Sequence, residues 1–196
     1  MKAVLASSNA GKLRELAAIL APFGYELVTQ SSLGIDTPPE TGVTFAENAL
    51  LKARHAARLA GLPALADDSG VEVDALGGRP GVYSARYAGE GATDLANLQK
   101  MLEELRGVPT DRRGARYQCV IAFVRGADDP EPLIAHGSWE GRILAAPRGA
   151  GGFGYDPIFL PIGLDVSAAE LSAEEKNVRS HRGEALRVLA RLLRRA

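Results

Sequence analysis

The segment SSNAGKLRE, Ser7 to Glu15, carries residue types suited to holding an anion. An apolar run ends, small polar residues follow, and helical spacing begins. The N–H groups of a first helical turn have no intrahelical partner, and the helix dipole adds partial positive charge there. Such a terminus attracts phosphate or carboxylate. Ser7, Ser8 and Asn9 add hydroxyl and amide donors, and Gly11 lets a bulky ligand approach the backbone. Lys12 stands at the end of the dipole where a cation costs roughly a few tenths of a kcal/mol, and a bound phosphate would reverse that sign. The competing account is an ordinary N-cap at Ser8 or Asn9 with a solvated Lys12. The stretch is not a Walker A loop, which needs an earlier glycine and a Ser or Thr after the lysine; Leu13 follows Lys12.

A second group of candidates is acidic: Glu40, Asp67, Asp68, Glu72 and Asp74. In ALADDSG, Ala64 to Gly70, two aspartates end an apolar strand. Adjacent strand residues point to opposite faces, so a simple strand sends only one of Asp67 and Asp68 into a given cleft. The alternation does not decide which. Magnesium takes hard oxygen ligands, commonly one or two carboxylates with substrate phosphates and water. Glu40 and one of these aspartates meet that need; otherwise they cap turns or pair with arginines. Asn48 and Lys52 are four apart and share a helix face with Ala49, Ala53, Ala56 and Ala60. Taken by itself, Lys52 reads as a surface lysine, and Glu47 as part of a capping box with Thr44.

The run GAGGFGYDP, Gly149 to Pro157, matches GxGxxG in letters, but Tyr155, Asp156 and Pro157 follow where a dinucleotide fingerprint would open a helix. The loop instead exposes Phe153 and Tyr155. An aromatic so placed stacks on a nucleobase, worth roughly 1–3 kcal/mol, unless Phe153 plugs the core. In EEKNVRSHRGEAL, Glu174 to Leu186, Ser180 caps a helix that begins with His181 and Arg182, and Lys176 lies just before it. The purine O6 is an acceptor and the adenine N6 a donor. Lys176, His181 and Arg182, all donors, would therefore favour a 6-oxo purine. Otherwise His181 is a surface histidine at a helix end.

The elements that must hold these residues follow from periodicity. Lys2–Ala6 and Glu26–Thr29 read as strands, Lys12–Leu20 as a helix, and 30–42 as a loop. Thr44–Leu59 reads as a helix stopping near Gly61 and Pro63, and Ala64–Asp74 as a strand interrupted near Asp68. Gly77–Gly91 is an irregular loop and Thr93–Leu105 an amphipathic helix. Ala115–Arg125 and Leu133–Leu144 form a long antiparallel hairpin. A glycine-rich loop, a short strand and a final helix over Arg182–Arg194 complete one α/β domain, 1–196, with a mixed sheet and no linker.

Bulk properties narrow the functions. The 196 residues suffice for a sizeable core, and 46% hydrophobic with 24% charged residues is ordinary for a globular chain. A net charge of −1 lacks the footprint of general nucleic-acid binding, and the late arginines read as the solvated face of the last helix. The single cysteine, Cys119, forms no intrachain disulfide and suits a reducing compartment. The N-terminal apolar stretch is too short for a signal-peptide core, and no segment approaches the roughly 20 apolar residues of a membrane span. No membrane association and a cytoplasmic location are expected.

In order and spacing, SSNAGKLRE, ETGVTFAENALLKA (Glu40 to Ala53), ADDSGVEVDALGGRPGVYSARYAG (Ala66 to Gly89), GGFGYDPIF (Gly151 to Phe159) and KNVRSHRG (Lys176 to Gly183) together resemble the inosine triphosphate pyrophosphatase family. The resemblance covers nearly the whole chain. It implies an elongated, two-lobed α/β fold with a long central mixed sheet flanked by helices, the active site in the cleft, a homodimer and a Mg²⁺ requirement. It implies hydrolysis of dITP/ITP and XTP to the nucleoside monophosphate and pyrophosphate. Ser7, Ser8, Asn9, Ala10, Gly11, Lys12 and Lys52 would hold the triphosphate. Glu40 and Asp68 would hold the metal, with Asp68 also the proton acceptor. Ser69 would touch substrate, and Phe153, Gly154, Tyr155, Asp156, Lys176, His181 and Arg182 would hold base and sugar. Two alternatives remain: a Maf-type pyrophosphatase, against which the FGYD loop and SHRG stretch argue, and a non-catalytic nucleotide sensor, against which Glu40 and Asp68 argue.

Overall fold

The computed structural model describes residues 1–7 and 10–195, with the side chains of 10–12, 14 and 15 outside that description. The regular elements are β1 (Lys2–Leu5), α1 (Ala10–Leu20), β2 (Glu26–Thr29), α2 (Phe45–Ala60), β3 (Ala64–Val73), α3 (Asp94–Glu104), β4 (Gly114–Val124), β5 (Leu133–Ile143), β6 (Phe159–Pro161), α4 (Ala173–Arg179) and α5 (His181–Leu193). The strands form one six-stranded sheet in the order β2-β1-β3-β4-β5-β6. β1 runs parallel to β2 and β3, and β5 pairs antiparallel with β6, so the sheet is mixed, as expected. β4 and β5 are neighbours joined by residues 125–132, too short a connection for a parallel crossover.

The chain divides into two compact units. One comprises Met1–Asp68, Cys119–Gly137 and the segment from Ala185. Its core joins Leu5, Leu16, Leu20, Leu65, Ile121, Phe123 and Leu189, with Cys119 buried among them as a small hydrophobe. The other comprises Ser69–Gln118 and Ser138–Glu184, with a core of Val71, Leu98, Met101, Tyr117, Trp139, Tyr155 and Phe159. Each fully buried Leu or Phe contributes roughly 1.5–3 kcal/mol. Among the described residues, no helix is long and apolar enough to cross a membrane.

Two expectations need correction. β3 runs unbroken through Asp67 and Asp68 to Val73, and the Asp68 carboxylate is taken up by Lys52 and Asn48 rather than by its own backbone. Lys176 does not precede the last helix in a loop. It belongs to a separate short helix, α4, capped by Ser172 and Glu175, and Ser180 breaks the chain before α5. Ser180 then accepts a hydrogen bond from Gly183 N at 3.2 Å, which is the capping role its position suggested.

Candidate active site

In the first unit, the local sequence builds the start of α2. Thr44 accepts a hydrogen bond from Glu47 N at 3.1 Å, and the Glu47 carboxylate reaches back to the N–H groups of Val43 and Thr44. This capping box fixes the first turn. It also fixes the rotation of the helix, whose buried face is Phe45, Asn48, Ala49, Lys52, Ala53, Ala56 and Ala57. The alanines let that face pack closely. Lys52, read from sequence as a surface residue, is therefore buried.

A cation with a strongly hydrated head is buried only with partners. Lys52 Nζ donates to Glu40 Oε1 at 2.7 Å and to Asp68 Oδ1 at 2.9 Å. Asn48 Nδ2 lies 3.4 Å from Asp68 Oδ2, and its Oδ1 accepts from Gly42 N at 2.8 Å. Gly42 is needed there, since a Cβ would stand 2.7 Å from both Asn48 Oδ1 and Glu47 Cβ. Glu40 remains partly exposed, its side chain 26% accessible. Of the two adjacent aspartates, Asp68 is bonded to Lys52 and Asn48. Asp67 is also buried.

Two opposed effects set the proton affinities. Burial would lower the pKa of Lys52, but the charge of Asp68 and the hydrogen bonds Lys52 donates to Glu40 and Asp68 outweigh it and hold the ammonium above its ordinary value. Burial raises the pKa of Asp68, and Glu40 adds to the rise, against the lowering by Lys52 and Asn48. Both partners of one ion pair move up because their surroundings are unequal. Lys52 is served by two carboxylates, whereas Asp68 shares one ammonium with a like charge. With both acids ionised the cluster keeps a net negative charge. Among the described residues no group of three or more His, Cys, Asp and Glu side chains is assembled for a metal. Two convergent carboxylates do match the sparse protein ligation of magnesium.

In the second unit an open cavity of about 130 Å³ is lined by Ser69, Phe153, Gly154, Tyr155, His181 and Arg182, among others. The GGFGYDP loop ends in a single helical turn, Asp156–Ile158, and then β6, so it opens no helix of the dinucleotide type. Gly152 and Gly154 take positive φ (72° and 60°), and a Cβ at Gly152 would collide with the Asp156 carboxylate. Gly154 N donates to Asp94 Oδ2 at 2.7 Å. Phe153 is 59% exposed, so it does not plug the core. The Lys176 ammonium sits 4.4 Å and the Arg182 guanidinium 6.0 Å from its ring centroid.

Three residues of these segments are buried, and for Tyr155 this overturns the sequence reading. Tyr155, expected to be exposed, is buried, because its hydroxyl finds the Ser84 carbonyl at 2.8 Å and the ring can join the core. Burial, then the charges of Tyr87 and Asp94, push its phenol up. His181 is no surface residue at a helix end; it is buried, with its imidazole stacked on Tyr117 at 4.7 Å and 9°. Asp156 is buried and committed to protein donors: Tyr117 OH at 3.2 Å, Phe153 N at 2.8 Å and the Lys176 ammonium.

Thus Glu40, Lys52 and Asp68 come together in one unit, and Ser69, Phe153 to Tyr155, His181 and Arg182 line one pocket in the other; Asp156 and Lys176 are not among its lining residues but are bonded to each other and contact Phe153. Ser7 follows β1 and is partly exposed. Ser8 and Asn9 lie outside the described residues, as do the side chains of Ala10, Gly11 and Lys12. Sequence reasoning placed Asn48 on the face of Lys52 without giving it a role, and it passed over Asp94 and Tyr117. Asn48 had a signal, a polar residue four before Lys52 on an alanine face. Tyr117, inside an apolar strand run, had none.

The chain matches the Ham1 family over residues 3–192. A curated dITP/XTP pyrophosphatase of Shigella flexneri is 60% identical over 193 residues, 98% of each chain. Among solved structures, a HAM1 protein from Coxiella burnetii superposes with a TM-score of 0.95 at 49% identity over the full length of both chains. The Ham1 protein of Staphylococcus aureus does so with a TM-score of 0.90 at 41% identity, over 99% of this chain and 98% of the other. Likeness of this extent, end to end in sequence and fold, makes the chain a member of the Ham1 family.

Proposed function

We propose that this protein hydrolyses non-standard purine nucleoside triphosphates, dITP/ITP and XTP, to the nucleoside monophosphate and pyrophosphate. The observation that carries the reading is the Glu40–Lys52–Asp68 cluster: a buried ammonium held between the buried carboxylate of Asp68 and the partly exposed one of Glu40. The 60% identical relative bears the name dITP/XTP pyrophosphatase.

In this reading water attacks the α-phosphorus, the bond from that phosphorus to the α–β bridging oxygen breaks, and pyrophosphate leaves. Asp68 takes the proton of the attacking water. Its raised proton affinity makes it a stronger base than an ordinary aspartate. Lys52 stays charged and stabilises negative charge developing on the phosphate oxygens. Asn48 holds the second oxygen of Asp68, so the carboxylate faces the reaction in one orientation. Glu40 and Asp68 would hold a divalent cation, with Mg²⁺ the ion their hard oxygens suit. Such an ion, when bound, neutralises phosphate charge and lowers the pKa of water.

Ser7 to Lys12 would bind the triphosphate beside Lys52. Phe153 would stack on the base, and Lys176, His181 and Arg182 would donate to the 6-oxo group. Asp156 acts on the substrate through Lys176 and the Phe153 backbone rather than by its own oxygens. Residues 1–196 would work as one catalytic domain, since the proposed phosphate and base residues are both required by one substrate. We extend the reading to a homodimer in the cytoplasm, with no nucleic-acid or membrane partner. A near-neutral net charge supports the absence of a nucleic-acid partner, and a single, buried cysteine suits a reducing compartment.

The test is pyrophosphate release from ITP, XTP, GTP, ATP and UTP with magnesium, with sedimentation for the dimer. Preference for ITP and XTP is expected. Equal rates on all five, or binding without pyrophosphate release, would remove the reading.

A further inference from the structure

Tyr117 lies beneath the pocket, in β4, and touches two of the groups assigned to the base. Its ring lies against the His181 imidazole almost parallel, at 4.7 Å and 9°, and Phe159 packs on it at 4.6 Å and 56°. Its hydroxyl donates to Asp156 Oδ1 at 3.2 Å. The other oxygen of that carboxylate receives the Lys176 ammonium and Phe153 N. Lys176 in turn lies over the Phe153 ring. A lysine carries four rotatable bonds and loses roughly 1.5–2 kcal/mol of rotamer freedom when held. An anchored carboxylate is therefore what lets Lys176 present its ammonium in one place. An imidazole at a helix start likewise needs a neighbouring surface to fix its plane.

We propose that Tyr117 is the positioning residue of the purine pocket, its ring setting the plane of His181 and its hydroxyl setting the Asp156 carboxylate that aims Lys176. One side chain thereby fixes two of the donors that distinguish a 6-oxo from a 6-amino purine. Burial, then the charge of Asp156, push the phenol well up, so it remains a neutral donor throughout the working pH range. The proposal rests on the reading of this pocket as the purine site.

The experiment compares kcat and KM for ITP and ATP in wild type, Tyr117→Phe and Tyr117→Leu, with thermal midpoints measured alongside. Phe keeps the stack and removes the hydroxyl; Leu removes both. The ITP-to-ATP ratio of kcat/KM should fall about tenfold in Tyr117→Phe, the scale of one hydrogen bond to a charged group, and further in Tyr117→Leu. The loss for ITP should appear in KM rather than kcat. A double-mutant cycle isolates the route: in a Lys176→Met background, Tyr117→Phe should cost little more. A generally weakened fold would lower both substrates together and add to Lys176→Met in full. An unchanged ratio in Tyr117→Phe, or full additivity with Lys176→Met, would overturn the assignment of Tyr117. Absence of ITP preference in the wild type would instead overturn the purine reading itself, and the proposal with it.

Discussion

Lys52 Nζ stands 2.9 Å from Asp68 Oδ1 while holding Glu40 Oε1 at 2.7 Å on its other side. One ammonium thus divides its charge between two acids, and neither acid is fully compensated. Burial, with the like charge of Glu40 adding to it, gives Asp68 a raised proton affinity even beside a lysine, where a simple exposed ion pair would lower it. The incomplete compensation also gives the site a residual negative charge for a cation.

If Asp68 is the proton acceptor, Asp68→Asn should reduce kcat for ITP by about 10²–10⁴-fold, the range of general base catalysis. Asn retains the size and can still accept from Lys52, so the circular dichroism spectrum should be unchanged. Wild-type turnover in this variant would remove Asp68 from the chemistry.

The raised pKa of Asp68 also has a signed consequence. A folded-state value above the unfolded one favours the folded chain while the group is protonated. That contribution is complete below the unfolded value and is lost as pH rises through the folded value. Activity runs the other way, since the base must be ionised. kcat/KM should therefore climb with pH through the Asp68 titration, which burial moves upward from its ordinary value, and Lys52 should remain charged throughout. A pH profile with an acid limb at the ordinary aspartate value would contradict this. So would persistence of the same limb in Asp68→Asn.

Removing the ammonium should leave Glu40 and Asp68 to repel in a mostly buried setting. Breaking such a pair costs about 3–5 kcal/mol, which for a chain of this size lowers Tm on the order of 10 °C. Magnesium should restore part of that loss in Lys52→Met, because an ion that binds the folded state stabilises it by mass action. Differential scanning calorimetry with and without magnesium reads both effects. A Tm indifferent to magnesium would argue against Glu40 and Asp68 as its ligands.

Phe153 and Tyr155, two residues apart, should separate binding from stability. Phe153→Ala removes an exposed ring. It should raise KM for ITP about tenfold or more, the scale of base stacking, with Tm unchanged. Tyr155→Phe leaves the buried Ser84 carbonyl without its phenol donor. It should cost about 1–3 kcal/mol of stability and affect KM less. The reverse pattern, in paired kinetic and melting data, would mean that the two roles have been exchanged.

Gly42→Ala should act at a distance from any substrate. The added methyl meets Asn48 Oδ1 and Glu47 Cβ at 2.7 Å, so Asn48 must move and Asp68 Oδ2 loses its amide. A kcat decrease with little change in KM is expected in steady-state assays. An unaffected kcat would show that Asn48 does not orient the base.

What the sequence alone determined was local. The Thr44–Glu47 box, the Ser180 cap and the shared face of Asn48 and Lys52 depend on spacings of three or four residues within one helix, and periodicity carries that information. The resemblance of whole segments then carried fold and family. The tertiary structure decided what depends on partners distant in the chain. β3 offered Asp67 and Asp68 to opposite faces with equal right, and the packing of α2 brought Lys52 and Asn48 to Asp68. Tyr155 went inward because the Ser84 carbonyl, 71 residues away, was there to receive its hydroxyl. Lys52 went inward because Glu40 and Asp68 could share its charge. A side chain's burial follows from whether its polar atoms find partners, and those partners are assembled only when the chain folds.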